Sequence, residues 1–90
     1  MSHREDNLEL KAQNKEQLLK AVQRFRKSSK LTQKELSDKS GVPQSSVSKF
    51  EVGAREPNLS LLFKIISALN LEIVIRKKQK VKSKSEGIVI

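Results

Sequence analysis

The segment spanning residues 31–53, LTQKELSDKSGVPQSSVSKFEVG, constrains this chain more than any other. Thr32 is a strong N-cap and Glu35 stands three residues on, so each side chain can satisfy the other's free backbone N–H in a T-x-x-E capping box. Leu31 and Leu36 point inward. Gly41 stops the helix, because glycine takes the left-handed backbone conformation at little steric cost. Pro43 then stands at the start of the next helix, where its missing N–H costs little. Val47 and Phe50 give that helix a narrow apolar seam, Gly53 ends it, and Val42 can fill the space beneath the turn.

The flanks predict two more helices. Asn14 is a favourable N-cap with Gln17 at the capping-box position, and Leu18, Ala21, Val22 and Phe25 share a face of a helix that fades near Ser28–Lys30. After a connection over residues 54–57, Asn58 caps a helix from Leu59 to Leu69. Leu59, Leu62, Ile66 and Leu69 form one stripe, and Leu61, Ile65 and Ala68 carry the apolar surface far round the cylinder. A surface helix in a small monomer needs one apolar face. The second is therefore expected to meet a partner subunit through Leu61 and Ile65; the alternative is burial beneath flanking segments of the same chain. Next, Leu71, Ile73 and Ile75 alternate with Glu72, Val74 and Arg76, the period of a β-strand. A lone strand cannot satisfy its backbone. The expectation is pairing with the same strand of a second copy across a two-fold axis, placing Leu71, Ile73 and Ile75 in a homodimer interface; pairing with residues 88–90 is the alternative.

Ninety residues suit one small domain, and 19 Lys+Arg against 10 Asp+Glu give a formal charge of +9, which favours a polyanionic partner. There is no cysteine, hence no disulfide or thiolate chemistry. No apolar run is long enough to span a membrane and no signal-peptide core is present, so a cytoplasmic protein is expected. The single histidine, His3, lies in the N-terminal arm, and no Cys/His metal spacing includes it. No metal spacing, glycine-rich phosphate loop or nucleophile elbow occurs, and Glu35 and Asp38 are explained by capping and solvation. Neither an enzyme nor a cofactor or metal is expected.

With Val47 and Phe50 turned inward, Gln44, Ser45, Ser48 and Lys49 face outward and Ser46 lies at the flank. This is the layout of a helix-turn-helix, whose second helix enters the DNA major groove. Gln can pair with adenine, Lys can reach guanine, and Ser can bond several base edges. Gln44, Ser45, Ser48 and Lys49 are therefore the candidate base readers. Thr32 and Gln33 at a helix start, Ser46, Arg55 and Asn58 are the candidate phosphate contacts.

The run LTQKELSDKSGV, then QSSVSKFEVG, then P-x-L-x-x-L at residues 57–62 resembles the Cro/C1-type (XRE) helix-turn-helix of phage repressors. The resemblance implies an all-α, lambda-repressor-like domain of four to five helices over residues 14–70. Residues 1–13 would then be a flexible arm, 71–78 a dimerising β-strand and 79–90 a basic flexible tail. It also implies base reading by Gln44, Ser45 and Lys49, bracing of the first reader by Gln33, and a structural ion pair between Arg26 and Glu51. Ser37 stands where the family usually has alanine, and Asn70 where glycine is commoner. The blocks NKEQLLKAVQRFRKSSKLTQ and LFKIISALNLEIVI are similar to HipB-type antitoxins. Membership there implies a dimeric repressor of its own operon that binds operator DNA with an inverted repeat and partners a HipA-type kinase toxin. A stand-alone regulator without a toxin, or a protein-binding adaptor that has lost DNA binding, are the other readings.

Overall fold

The computed structural model describes residues 9–54, 56 and 58–78. Among the described residues four helices follow one another: α1 (Lys15–Ser28), α2 (Gln33–Ser40), α3 (Gln44–Val52) and α4 (Leu59–Ala68). α2 packs against α3 and α4, and α1 packs against α3. The core joins Leu19 and Val22 of α1, Leu36 of α2, Val42 of the turn, Val47 and Phe50 of α3, and Leu62, Ile65, Ile66 and Leu69 at α4. This is the all-α helix-turn-helix architecture expected from the sequence.

The caps follow from the residues that make them. The Asn14 side chain accepts from the Gln17 backbone N–H at 2.9 Å, while Gln17 Oε1 accepts from the Gln13 N–H, one residue earlier than a capping box requires. At α2 the box is complete: Thr32 Oγ1 accepts from the Glu35 N–H and Glu35 Oε1 accepts from the Thr32 N–H. Asn58 caps α4 by accepting from the Leu61 N–H. Gly41 closes α2 at φ 77°, and the Ser37 hydroxyl donates to the Val42 carbonyl at 2.6 Å. The serine that departs from the family's usual alanine thus ties α2 to the turn. Lys30 and Asn70 both sit at φ 60°, and each precedes a leucine whose N–H reaches back five residues, Leu31 to Arg26 and Leu71 to Ile66. These 6→1 bonds are Schellman closures, and they seat Leu31 and Leu71 against the core.

Two facings differ from the sequence expectation. On α1 the buried residues are Leu19, Val22 and Arg26, while Leu18, Ala21 and Phe25 are half-buried. The face is rotated because a charged residue, Arg26, belongs to it. On α4, Ile65 is fully buried and Leu61 is half-buried against the same core, so Ile65 cannot contact a partner subunit. The apolar residues left outside are Leu59, 71% exposed, and Phe63, 52% exposed, four residues apart on the opposite edge of the helix. No strand occurs among the described residues: residues 71–78 carry no regular secondary structure in the single chain, which offers them no partner strand there. Residues 88–90, the alternative partner, and most of the expected arm and tail lie outside the described residues.

The facing of α4 gives a direct expectation. Ile65→Ala should cost about 2–5 kcal/mol of folding stability, whereas Phe63→Ala should change the stability of the isolated monomer by no more than about 0.5 kcal/mol. Chemical denaturation at a concentration where the chain is monomeric measures both; equal losses would contradict the assignment.

Candidate nucleic-acid interface

α3 divides into a face that holds it and a face that is free. Val47, Phe50 and Glu51 are buried, which fixes the helix about its own axis. Gln44, Ser45 and Lys49 are exposed, and Ser46 and Ser48 are half-buried at its edges. Pro43 occupies the cap position, extended at φ −55°, ψ 145°, and makes no side-chain cap bond. Its carbonyl accepts from the N–H groups of Ser46 and Val47. The backbone N–H groups of Gln44 and Ser45 have no partner among the described hydrogen bonds, so the N-terminal turn of α3 presents these donors beside short serine side chains, the combination that allows close approach to an acceptor-rich surface.

The only acidic residue of α3 is Glu51, and it is turned inward. Its carboxylate receives Arg26 Nε at 2.6 Å on one oxygen and Arg26 Nη2 at 3.0 Å on the other. Arg26 Nη1 also donates to the Leu31 carbonyl at 2.7 Å. One guanidinium thereby links the end of α1, the loop after it and the end of α3, using the planar fork that arginine alone provides. Gln33 Nε2 donates to Glu51 Oε1 at 3.0 Å and Gln23 Nε2 at 3.4 Å. Burial by itself would push the Glu51 carboxyl up, but the hydrogen bonds from Arg26, Gln33 and Gln23 and the arginine charge hold it below the ordinary value of 4.5. The outward face of α3 is thus left with no negative charge and with Lys49 at its far end.

Thr32 is exposed at the start of α2, and Gln33 beside it is half-buried. Sequence similarity implies that Gln33 braces Gln44; among the described hydrogen bonds, its amide donates to Glu51 instead. Asn58 is exposed, with its side-chain oxygen engaged at the start of α4. Arg55 lies outside the described residues. Gln23 carries no signal in the sequence, since a polar residue midway along a helix is ordinary there. Phe63 does carry one, because Leu59 and Phe63 form an i, i+4 apolar pair beside the stripe. Among the described residues no group of acidic or histidine side chains could hold a metal ion, and no helix is long and apolar enough to cross a membrane.

Because the Glu51 pKa is lower in the folded chain than in the unfolded one, its contribution is present above pH 4.5 and is lost as pH falls through the folded value. The stability gap between the native chain and Glu51→Gln should therefore be full at neutral pH and close on acidification. A gap that persists well below the ordinary carboxylate range would contradict this account. Arg26→Met, which leaves the Glu51 charge buried without its partner, should cost about 3–5 kcal/mol at neutral pH, read from urea denaturation.

Comparison with known proteins places this geometry. A family profile described as helix-turn-helix matches residues 22–75. A curated relative from Sinorhizobium fredii (strain NBRC 101917 / NGR234), "Uncharacterized HTH-type transcriptional regulator y4dL", is 39% identical over 64 residues. The match takes in 71% of this chain, which spans about a third (33%) of that relative's length. Among solved structures, a complex of a HipB variant with an O2 20mer superposes with TM-score 0.74 at 29% identity, over 80% of this chain and 100% of that one. A HipA-HipB-O2-O3 complex matches with TM-score 0.72 at 30% identity, over 77% of this chain and 97% of that one. The chain belongs to the Cro/C1-type helix-turn-helix family of DNA-binding transcription regulators.

Proposed function

We propose that this chain is a dimeric, sequence-specific transcriptional repressor that reads an inverted repeat and serves as the antitoxin partner of a HipA-type kinase toxin. The observation that carries the DNA-binding part is the outward face of α3, where Gln44, Ser45 and Lys49 are exposed while the helix's one carboxylate is buried on Arg26. In this reading Gln44, Ser45, Ser48 and Lys49 meet base edges. Thr32, Gln33, Ser46, Arg55 and Asn58 meet phosphates and fix register. The antitoxin part is supported by likeness to HipB in its complexes with an O2 20mer and with HipA, O2 and O3.

A repressor of this kind reads two half-sites about 34 Å apart when two copies join. The apolar side chains available to a second copy are Leu59 and Phe63 on α4 and, in the segment after it, the exposed Ile73 and Ile75 and the half-buried Leu71. Pairing of residues 71–78 with their counterpart would satisfy the backbone groups that one chain leaves open. A second reading, a stand-alone regulator with no toxin, is favoured by the S. fredii relative, an HTH-type transcriptional regulator about three times as long as the matched span.

Binding of duplex DNA from upstream of the chain's own reading frame tests the first part. Gln44→Ala and Lys49→Ala should each weaken binding to the preferred duplex by about 1–3 kcal/mol and relax its sequence preference. An equal loss on random duplex would contradict base reading. Affinity should also fall steeply with salt as counterions are released. Affinity purification of the tagged chain from its host separates the two readings: a co-purifying kinase-like protein supports the antitoxin, and its absence together with intact operator binding supports the stand-alone regulator.

A further inference from the structure

Glu51 Oε1 is approached by three donors. Arg26 Nη2 and Gln33 Nε2 both stand at 3.0 Å and Gln23 Nε2 at 3.4 Å, whereas Oε2 receives Arg26 Nε at 2.6 Å. A carboxylate oxygen offers about two lone-pair sites. The third donor therefore waits at the edge of hydrogen-bonding range. Gln23 projects from α1, is half-buried, and has no other side-chain partner among the described hydrogen bonds. Gln33 occupies the first turn of α2, on the surface proposed to meet phosphates.

We infer that Gln23 is a positioning residue that takes over the place of Gln33 on Glu51 when Gln33 turns to a DNA phosphate. The inference rests on the DNA-binding reading above. A side-chain amide that leaves a buried carboxylate normally exposes an unpaired acceptor, and that cost is subtracted from the affinity the new contact supplies. Here a second amide already donates at 3.4 Å, at the long end of hydrogen-bonding distance, and can shorten its contact when Gln33 leaves. Its approach keeps Oε1 satisfied, so the Arg26–Glu51 pair, and with it the angle of α3, stays unchanged while Gln33 is released. The arrangement separates two tasks that would otherwise compete for one amide: holding the recognition helix and gripping the backbone.

A double-mutant cycle on Gln23→Met and Gln33→Ala tests this with two readouts on the full chain. In thermal unfolding without DNA, each single variant should lose little, because the other glutamine closes on Oε1. The double variant should lose about 4–8 °C of Tm more than the two singles together, the signature of one shared acceptor. Additive losses would overturn the sharing. The second readout is affinity for a duplex that the native chain selects from a random pool. Gln23→Met should weaken binding about five- to tenfold when Gln33 is present, the scale of one hydrogen bond, and should have no effect in the Gln33→Ala background. Equal effects in both backgrounds, or none in either, would show that Gln33 keeps Glu51 in the complex and would overturn the handover. A native chain that selects no duplex at all would remove the DNA-binding reading and the handover together, while the unfolding cycle would still report whether the two glutamines share Oε1.

Discussion

The buried pair between Arg26 and Glu51 is the interaction on which the candidate interface depends. Its side chains are 9% and 1% exposed, yet neither charge is stranded, since every short contact on the carboxylate is a nitrogen donor. A buried ion pair contributes little net stability over an apolar substitute, because desolvation offsets the attraction. What it adds is direction. A bidentate fork accepts one orientation of the carboxylate, so the end of α3 is pinned to the end of α1 in a way that the apolar contacts of Val47 and Phe50 alone would leave free to slide. Recognition of a groove requires a helix held at one angle and one depth, and this pair supplies that at the cost of a charge the interface is better without.

The same logic explains the distribution of charge. The chain carries +9 overall, but what suits α3 to a polyanion is local. Its one carboxylate is neutralised indoors, Pro43 and the small serines leave the first turn unobstructed, and Gln33 at the start of α2 reaches that carboxylate near the end of α3. The helix start of α3 supplies a local partial positive charge and Lys49 a full one at its other end, while charge elsewhere adds long-range attraction that salt screens.

Much of this was legible in the sequence because the signals were local. Caps at Asn14, Thr32 and Asn58, and stops at Gly41 and Gly53, act over three or four residues, and the helices lie where those signals put them. The facings of α1 and α4 were less legible for a tertiary reason. Treating charged residues as outward rotates α1 away from Leu19, because Arg26 is buried only by virtue of Glu51, a residue 25 positions away. On α4 apolar residues surround most of the helix, so period alone could not tell Ile65, which the core covers completely, from Leu59 and Phe63, which it leaves outside. The roles of Gln23 and Lys30 were invisible in the same way: one depends on a distant carboxylate, and the other on a positive φ in a residue type that seldom adopts it. The exposed side chains of α3 were easy to place, since an apolar seam as narrow as Val47 and Phe50 leaves little freedom in what faces outward.

The surface proposed to meet DNA is the free face of α3, held by Arg26 and Glu51. Titration of the isotopically labelled chain with its selected duplex, followed through backbone amide resonances, tests this assignment most directly. The largest changes are expected on Gln44 to Lys49 and on Thr32 and Gln33, with Leu59 and Phe63 little affected. Changes concentrated on α1 or α4, with the amides of Gln44, Ser45 and Lys49 unmoved at saturation, would contradict it.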